Sequence, residues 1–168
     1  MNTESGKRTL QALVAAGDDG LHRVIAALLT GCAGRDPRVG TQTRKPCTES
    51  VIRALVAESH FDVCLLVLNN ILYTEWEPVE VRLNSSVKLV RDLVVRHGIP
   101  VVAFYGWPDD ADYPAAVLKA GAAAVLRLPF DIDSARDIIR DILSKQAQSE
   151  SITPASVSIL NIHEVTWI

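Results

Sequence analysis

Cysteine is scarce in this sequence, and its spacing offers no paired site. The three cysteines, Cys32, Cys47 and Cys64, form no CxxC pair and no metal-type spacing with the histidines. An odd number of cysteines also argues against a disulfide framework, which is typical of secreted proteins. We therefore expect a cytoplasmic protein. Cys64 falls in an apolar run and is expected to be buried, whereas Cys47, beside Pro46 in a polar segment, is the thiol expected to react.

An excess of positive charge and long apolar runs are also lacking. Seventeen Lys and Arg residues stand against twenty Asp and Glu residues, which gives a net charge of -3. Proteins that bind a phosphate backbone usually carry a basic excess. No apolar run approaches the roughly 20 residues that span a bilayer. The sequence therefore predicts a protein that binds neither nucleic acid directly nor a membrane.

Motifs that mark common enzymes are missing as well. The sequence contains no GxSxG elbow, no GxxxxGK[ST] loop and no GxGxxG turn, the devices that present a nucleophile or hold a phosphate. His22, His60, His97 and His163 lie far apart in the sequence, and each is expected to be a surface or capping residue. We therefore predict no enzyme activity and no cofactor.

What the sequence does contain is a regular alternation of short apolar runs and amphipathic segments. The run DVCLLVL is continuously apolar, which is typical of a parallel strand covered by helices on both faces. Because strands separated by helices need right-handed crossovers, the order predicts an α/β fold, a flavodoxin-like doubly wound sheet of five parallel strands, (βα)5. The predicted strands cover residues 10–16, 38–44, 62–68, 100–104 and 122–126.

Capping residues and glycines predict where the helices begin and end. Thr48 is expected to cap the second helix, the third helix is expected over residues 85–96, and Ser134 is expected to open a capping box before the fifth. Gly98 and Gly121 follow the third and fourth predicted helices, where a residue with positive φ commonly ends a helix.

The composition changes after Lys145. We predict one domain over residues 1–146, followed by a linker and an apolar C-terminal tail over residues 147–168 that forms an extra extended segment. The tail carries Trp167 and the sequence VSILNIHEVTWI, in which Glu164 is the one acidic residue. Because an unpaired apolar strand recruits neighbours, the tail is expected to be paired, either as an added edge strand of its own sheet or across a homodimer.

Three pieces of sequence, DVCLLVL, IPVVAF and KAGAAAVLRLPFD, occur in this order. Together they resemble the receiver domain of two-component response regulators, over roughly residues 8 to 146. The last piece is the most specific, since an AGA turn, a short strand and a residue-Pro-Phe step are characteristic of receivers. The resemblance implies a receiver-like module in intracellular signal transduction.

Receivers are phosphorylated on an Asp at the end of the third strand. In that family an acidic pair after the first strand holds Mg²⁺, a Thr or Ser ends the fourth strand, and a Lys precedes the Pro-Phe step. A gapless alignment places Val67 at the acceptor position, Tyr105 at the hydroxyl position and Leu128 at the lysine position. The acidic pair falls on Ala16 and Gly17. All five differ from the family pattern, so the resemblance implies a pseudo-receiver that has lost phosphotransfer.

A slip of two residues in that alignment keeps the facing of each strand. It would bring Asn69 to the acceptor position and Asp18 and Asp19 to the acidic pair. We prefer the gapless alignment, because the slip leaves Leu128 unexplained and Asn69 cannot carry an acyl phosphate. Adjacent acids after a strand form a helix N-cap more often than a metal site, so no metal is predicted, and a weak Mg²⁺ site at Asp18 and Asp19 is the alternative.

Polar and aromatic side chains follow the third and fourth predicted strands, at the edge where this fold class binds ligands. They are Asn69, Asn70, Tyr73, Trp76 and Trp107. The connection over residues 69–84 is longer and more aromatic than a plain loop requires. It is either a lid over the emptied phosphorylation crevice or a loop that docks a partner, since exposed aromatic side chains are common interface anchors.

Two residues beside the aligned positions have open roles. Tyr105 either plugs the vacated pocket or offers its phenol to a ligand. Arg127 alternates with Leu126 and Leu128, which favours a salt bridge on the opposite face over replacement of the missing lysine. The remaining candidates for crevice or partner contacts are Asp18, Asp19, Phe130 and Trp167.

Two functional hypotheses follow from these observations. The first is a non-phosphorylatable protein–protein interaction module that binds a signalling or regulatory protein and forms a homodimer. The resemblance implies that its contact surface corresponds roughly to residues 113–144. The second is a flavodoxin-like small-molecule-binding protein or enzyme that uses a crevice at the carboxyl edge of the sheet. The residues expected to line that crevice are Asp18, Asp19, Asn69, Asn70, Tyr105 and Trp107.

Overall fold

The structure, a computed structural model, describes residues 10–33, 37–39, 48–68, 77–106, 112–150 and 157–161. Strands and helices alternate along this part of the chain. In order they are β1 (Leu10–Ala15), α1 (Asp19–Ala33), β2 (Pro37–Val39), α2 (Glu49–Glu58), β3 (Val63–Val67), α3 (Val79–Arg91), a π-helix (Asp92–Arg96), β4 (Val101–Tyr105), α4 (Tyr113–Lys119), β5 (Ala124–Arg127), α5 (Ile132–Glu150) and β6 (Val157–Asn161).

The described strands form one parallel sheet in the order β2-β6-β1-β3-β4-β5. The predicted α/β fold with a parallel sheet is confirmed. The expectation of five strands is wrong, because β6 joins the sheet as a sixth. The block β1-β3-β4-β5 keeps the neighbour order of a flavodoxin-like sheet, while β2 is separated from β1 by one strand.

The position of β6 corrects the expectation for the C-terminal segment. β6 pairs with β1 from Leu10 opposite Val157 to Val14 opposite Asn161, and with β2 on its other side. It is therefore an inner strand and not an added edge strand. Its sequence, VSILN, contains no charge, which suits a strand with neighbours on both sides. Helix α5 continues to Glu150, four residues past the predicted end of the domain at residue 146.

Two apolar clusters fill the space on the two faces of the sheet. Strand residues alternate between them because successive side chains of a strand point to opposite faces. One cluster joins the sheet to α1 and α5, for example through Val67, Leu29 and Ile139. The other joins the sheet to α2, α3 and α4, for example through Leu66 and Leu89. All residues of β3 and β4 are buried, as predicted for strands covered on both faces.

Helix α3 begins earlier than predicted. It starts at Val79, directly after Pro78, and proline suits the start of a helix because the first turn needs no backbone N–H donor there. The predicted start near residue 85 was wrong because the exposed Val79 and Val81 do not follow the buried helical stripe. The connection after β3 is correspondingly shorter than the predicted 69–84.

The capping residue of α5 also differs from the prediction. Asp131, and not Ser134, precedes the first turn, and its Oδ2 accepts the backbone N–H of Ser134 at 2.8 Å and the Ser134 hydroxyl at 2.6 Å. The prediction that Thr48 caps α2 is confirmed, since Thr48 Oγ1 accepts the backbone N–H of Val51. Gly98 and Gly121 have φ values of +65° and +112°, which agrees with their predicted turns.

The strand bounds differ from the predictions by small amounts, except at β2. The structure places β2 at Pro37–Val39, and residues 40–44 of the predicted strand lie outside the described residues. No helix in the described ranges is long and apolar enough to cross a bilayer.

His22 is buried, which corrects the expectation of a surface or capping residue. Its exposure is only 1%. It lies three, four and seven positions before Ile25, Ala26 and Leu29, which are core residues. This spacing places His22 on the buried face of α1.

Candidate functional site

A crevice of about 410 Å³ opens at the carboxyl edge of the sheet. The ends of β1, β3, β4 and β5 form it, which is where parallel α/β sheets bind ligands. Three of the positions aligned with the receiver site, Gly17, Val67 and Leu128, line it together. Asp18, Leu21, Gly106 and Pro129 complete the lining among the described residues. The structure therefore brings together residues that the sequence alignment placed at one site.

The β1–α1 turn supplies one wall of the crevice. Ala16 is fully buried directly after β1, and Gly17 follows it. Asp18 precedes α1, and its Oδ1 accepts the backbone N–H of Leu21 at 2.8 Å. This is the hydrogen bond of a helix N-cap. Asp19 is exposed in the first turn of α1 and does not line the crevice.

Val67 closes the floor of the crevice. It is the last residue of β3 and is 2% exposed. Its side chain belongs to the apolar cluster that also contains Val14, Leu65 and Phe104. An isopropyl group has no oxygen that can attack phosphorus or bind a cation. The floor of the crevice is therefore apolar.

Leu128 and Pro129 form the wall on the β5 side. The backbone N–H of Leu128 donates to the carbonyl of Tyr105 at 2.6 Å, and the peptide bond between Leu128 and Pro129 is cis. The Leu128 side chain packs against the same apolar cluster as Val67. Leu128 thus presents an uncharged isobutyl group at the position that the alignment pairs with the lysine of receivers.

The Tyr105 ring lies away from the crevice. Strand alternation places it in the cluster on the α3 and α4 side, opposite Val67 and Phe104. Its ring centroid is 5.3 Å from that of Tyr113. Tyr105 therefore does not line the crevice, which corrects both roles predicted for it at the vacated site. Gly106, the next residue, lines the crevice in its place.

The remaining predicted residues are divided between the surface, the core and the part of the chain that is not described. Arg127 is exposed at the end of β5. Phe130 is half-buried, with its ring centroid 5.3 Å from that of Phe104. Six predicted residues lie outside the described ranges: Asn69, Asn70, Tyr73, Trp76, Trp107 and Trp167.

The donor set at the crevice does not fit the Mg²⁺ site of a receiver. Mg²⁺ requires near-octahedral oxygen ligands, usually with carboxylates among them. Ala16, Gly17 and Val67 offer no side-chain oxygen, which leaves Asp18, the N-cap of α1, as the one carboxylate among the described residues that line the crevice. Within the described ranges, no group of three or more His, Cys, Asp or Glu residues is arranged to hold a metal ion.

The two cysteines in the described ranges, Cys32 and Cys64, are both at least partly buried. Cys32 is half-buried, and its Sγ donates to the backbone carbonyl of Arg136 at 3.3 Å. Burial raises the pKa of the Cys32 thiol above its ordinary value, against the opposing effect of Arg140 and Arg136. Cys64 is fully buried, as predicted. Cys47, the thiol expected to react, lies outside the described ranges.

Sequence reasoning missed a second group of polar residues, on α3 and the π-helix. Lys88, Arg91 and Arg96 line a groove with Arg53 of α2. In the sequence KLVRDLVVR these three cations are three and five positions apart, and Lys88 and Arg91 at i and i+3 share one helix face. This pattern was overlooked because cations near the end of a helix are common on solvated faces.

Sequence comparisons find no match. No protein-family model matches the chain, and no curated protein matches it.

Comparison with solved structures finds the fold many times. The chain is similar to a CheY-like response regulator receiver domain protein from Methanospirillum hungatei, with 15% identity, a TM-score of 0.58, and coverage of 84% of this chain and 99% of the other. The signal receiver domain of an HD domain-containing protein from Pseudomonas fluorescens matches with 13% identity, a TM-score of 0.59, and coverage of 84% and 99%. A response regulator receiver domain protein from Clostridium thermocellum matches with 15% identity, a TM-score of 0.57, and coverage of 83% and 98%. The chain therefore has the flavodoxin-like α/β fold of response regulator receiver domains.

Proposed function

We propose that this protein is a receiver-like module of intracellular signal transduction that accepts no phosphoryl group and acts through protein–protein contacts. The observation that carries the proposal is Val67, an apolar residue at the end of β3 on the floor of the crevice. An acyl phosphate requires a carboxylate nucleophile at that point. Without it, partner binding and assembly set the activity in place of phosphorylation.

The rest of the crevice supports the same proposal. Receiver chemistry uses a cation and a hydroxyl that respond to the phosphoryl group, and Leu128 supplies no charge while the Tyr105 ring is packed in the core. Each of these two positions therefore lacks a group that receiver chemistry uses.

The contact surface that we propose is formed by α4, β5 and α5, over residues 113–144. Two of the large apolar residues that are exposed in the structure lie on it, Leu118 and Ile132, with exposures of 48% and 51%. Contiguous exposed apolar patches rimmed by polar residues mark interaction surfaces, and we propose that Leu118 and Ile132 contribute to one such patch. On α5 the surrounding charges form ion pairs within the helix, such as Arg136 with Asp133 at 2.7 Å. We propose that this surface forms the homodimer and contacts the regulatory partner.

Sedimentation velocity with matched variants tests the contact surface. Leu118→Asp places a charge on α4 and is expected to shift the protein from dimer to monomer. The control Val24→Asp makes the same change on α1, where Val24 is 46% exposed, and is expected to leave the dimer intact. Addition of Mg²⁺ and acetyl phosphate is expected to change neither. A monomeric wild-type protein, or equal effects of the two variants, would contradict the proposed surface.

A small-molecule binding protein or enzyme is the second candidate. The observation in its favour is the crevice volume of about 410 Å³, which lies within the range of ligand sites. Comparison of native and denaturing mass spectra of the purified protein tests it. A small molecule that stays bound in the native spectrum and is released on denaturation would favour this candidate over the first.

A further inference from the structure

The groove between α2 and α3 carries a surplus of positive charge. Its volume is about 490 Å³. Arg53 comes from α2, while Lys88, Arg91 and Arg96 come from α3 and the π-helix. Asp92 is the one acidic residue among the described residues that line it. The groove thus has the opposite sign to the whole chain, whose net charge is -3.

Ion pairs fix two of these four cations in place. Asp92, whose side chain is 15% exposed, forms salt bridges with Arg53 and with Arg96, the latter at 3.1 Å. Arg53 also donates from Nε to Glu49 Oε1 at 2.8 Å. Two carboxylates therefore balance two guanidinium groups. These pairs hold the walls of the groove together and use up the charge of Arg53 and Arg96.

Lys88 and Arg91 are the cations that remain for a ligand. Both are exposed, and neither forms a salt bridge with an acidic residue in the described part of the chain. They are three positions apart on α3, so their side chains lie on the same face. Together they present two neighbouring positive charges to the groove.

The shape of the groove favours an elongated ligand. Its lining follows one face of α3 and the π-helix from Asn84 to Arg96. At a rise of 1.5 Å per residue, that face is about 18 Å long. A phosphate group would occupy only a small part of it, whereas a peptide would occupy its length.

Apolar side chains lie in the same groove. Val87 and Val95 line it, and Val95 is 73% exposed. Val95 belongs to the π-helix Asp92–Arg96, a rare conformation that is frequent at functional sites. An apolar side chain next to Lys88 and Arg91 fits a ligand that has both carboxylates and apolar groups.

We propose that this groove binds an acidic peptide segment of a protein partner. The carboxylates of the peptide bind Lys88 and Arg91, and an apolar side chain of the peptide packs on Val95. This is the helix-in-groove mode of recognition, in which anchors follow one face of a helical segment. The site is separate from the α4, β5 and α5 surface and does not depend on it.

Fluorescence anisotropy with a labelled model peptide tests the proposal. The probe is a peptide of Glu and Leu of about twelve residues, which spans about 18 Å as a helix, and a peptide of Lys and Leu of the same length is the control. We expect the acidic peptide to bind and the basic peptide not to bind. Added salt is expected to weaken binding, because exposed charge pairs are screened.

Matched double variants locate the site. Lys88→Ala with Arg91→Ala is expected to raise the Kd of the acidic peptide about tenfold or more, equivalent to about 1.4 kcal/mol. Arg23→Ala with Lys145→Ala removes the same charge from α1 and α5 and is expected to leave the Kd unchanged. Val95→Asp is expected to weaken binding with no loss of circular dichroism signal.

Three results would overturn the proposal. The first is equal binding of the acidic and basic peptides. The second is an equal rise in the Kd of the acidic peptide in the two double variants, which would indicate non-specific electrostatic attraction. The third is binding of inorganic tripolyphosphate at Lys88 and Arg91 with no binding of the peptide, which would assign the groove to a phosphate ligand. Failure here is distinguishable from failure of the proposed function, since Leu118→Asp is expected to leave peptide binding intact.

Discussion

The rings of Tyr105 and Tyr113 pack against each other with centroids 5.3 Å apart and planes inclined by 34°. Tyr113 is almost fully buried, and its hydroxyl donates to Ser86 Oγ at 2.6 Å. Ser86 Oγ in turn donates to the backbone carbonyl of Arg82 at 2.9 Å. This chain of contacts joins β4, α4 and α3. The residue aligned with the small hydroxyl residue of receivers is thus built into the core.

Replacement of Tyr105 by the type of residue that receivers carry tests this packing. Tyr105→Thr removes the ring beside Tyr113 and leaves a cavity, so we expect the free energy of unfolding to fall by about 3 kcal/mol. Tyr113→Phe removes the hydroxyl that donates to Ser86 while keeping the ring, and is expected to cost about 1 kcal/mol. Urea denaturation measures both. A loss from Tyr105→Thr no larger than that from Tyr113→Phe would contradict a core role for Tyr105.

Gly121 is predicted to be less replaceable than Gly98. Both have positive φ, but a Cβ at Gly121 would lie 3.1 Å from Val94 Cγ1, whereas nothing lies within 4 Å of a Cβ at Gly98. We expect Gly98→Ala to cost about 1 kcal/mol and Gly121→Ala about 2 to 3 kcal/mol, measured by thermal or urea unfolding.

A variant that also carries Val94→Ala separates the steric contact from the backbone strain at Gly121. In the presence of Val94→Ala, the additional cost of Gly121→Ala is expected to fall toward that of Gly98→Ala, because the contact is gone and the backbone conformation remains. An unchanged cost would show that the contact with Val94 plays no part.

The three cysteines are predicted to differ in reactivity. The thiolate is the reactive form of cysteine. Burial raises the pKa of Cys32 and Cys64 is fully buried, so a thiol reagent near neutral pH is expected to label Cys47 first. Peptide mapping after brief labelling measures this. Rapid labelling of Cys32 would contradict the prediction, and so would an unchanged amount of early labelling in Cys47→Ser.

The stabilisation that the Asp131 cap gives to α5 is predicted to depend on pH. The Ser134 hydroxyl and then the Ser134 backbone N–H hold the pKa of Asp131 below its ordinary value. A carboxyl with a lowered pKa in the folded state stabilises the protein above its unfolded pKa, and this contribution is lost as the pH falls through the folded pKa. The difference in melting temperature between wild type and Asp131→Ala is therefore expected to be larger near neutral pH than below about pH 3.

Titration by NMR checks the cause of that pH dependence. Ser134→Ala removes the hydroxyl donor and is expected to raise the pKa of Asp131 toward its ordinary value. The backbone donor remains, so the rise is expected to be partial. An Asp131 pKa that does not differ between wild type and Ser134→Ala would show that the hydroxyl is not the main cause.

The layered fold could be predicted from the sequence because its signals are local. The continuous apolar run at β3 requires helices on both faces, and Gly98 and Gly121 mark turns that need positive φ. The place of β6 could not be predicted in this way. Its apolar sequence shows that it needs neighbours, but strand pairing is a long-range choice, and no local pattern distinguishes an edge position from the space between β1 and β2.

The candidate site could be predicted in part. Gly17, Val67 and Leu128 converge because strand ends at the same edge of a parallel sheet lie together, which follows from topology alone. The Tyr105 ring was expected at the crevice, but it lies in the opposite layer. The alignment gives the position of Tyr105 along β4 and does not give the face of the sheet to which the ring points. The groove at Lys88 and Arg91 was missed because cations near the end of a helix are common on solvated faces, and only the tertiary structure brings Arg53 of α2 to them.

Intact-mass spectrometry after incubation with Mg²⁺ and acetyl phosphate tests most directly the claim that this receiver fold accepts no phosphoryl group. A receiver domain with an acceptor Asp, treated in parallel, is the positive control. We predict a phosphoryl adduct on the control and none on this protein, because Val67 stands at the end of β3. An adduct on this protein that hydroxylamine removes, as it does an acyl phosphate, would contradict the claim.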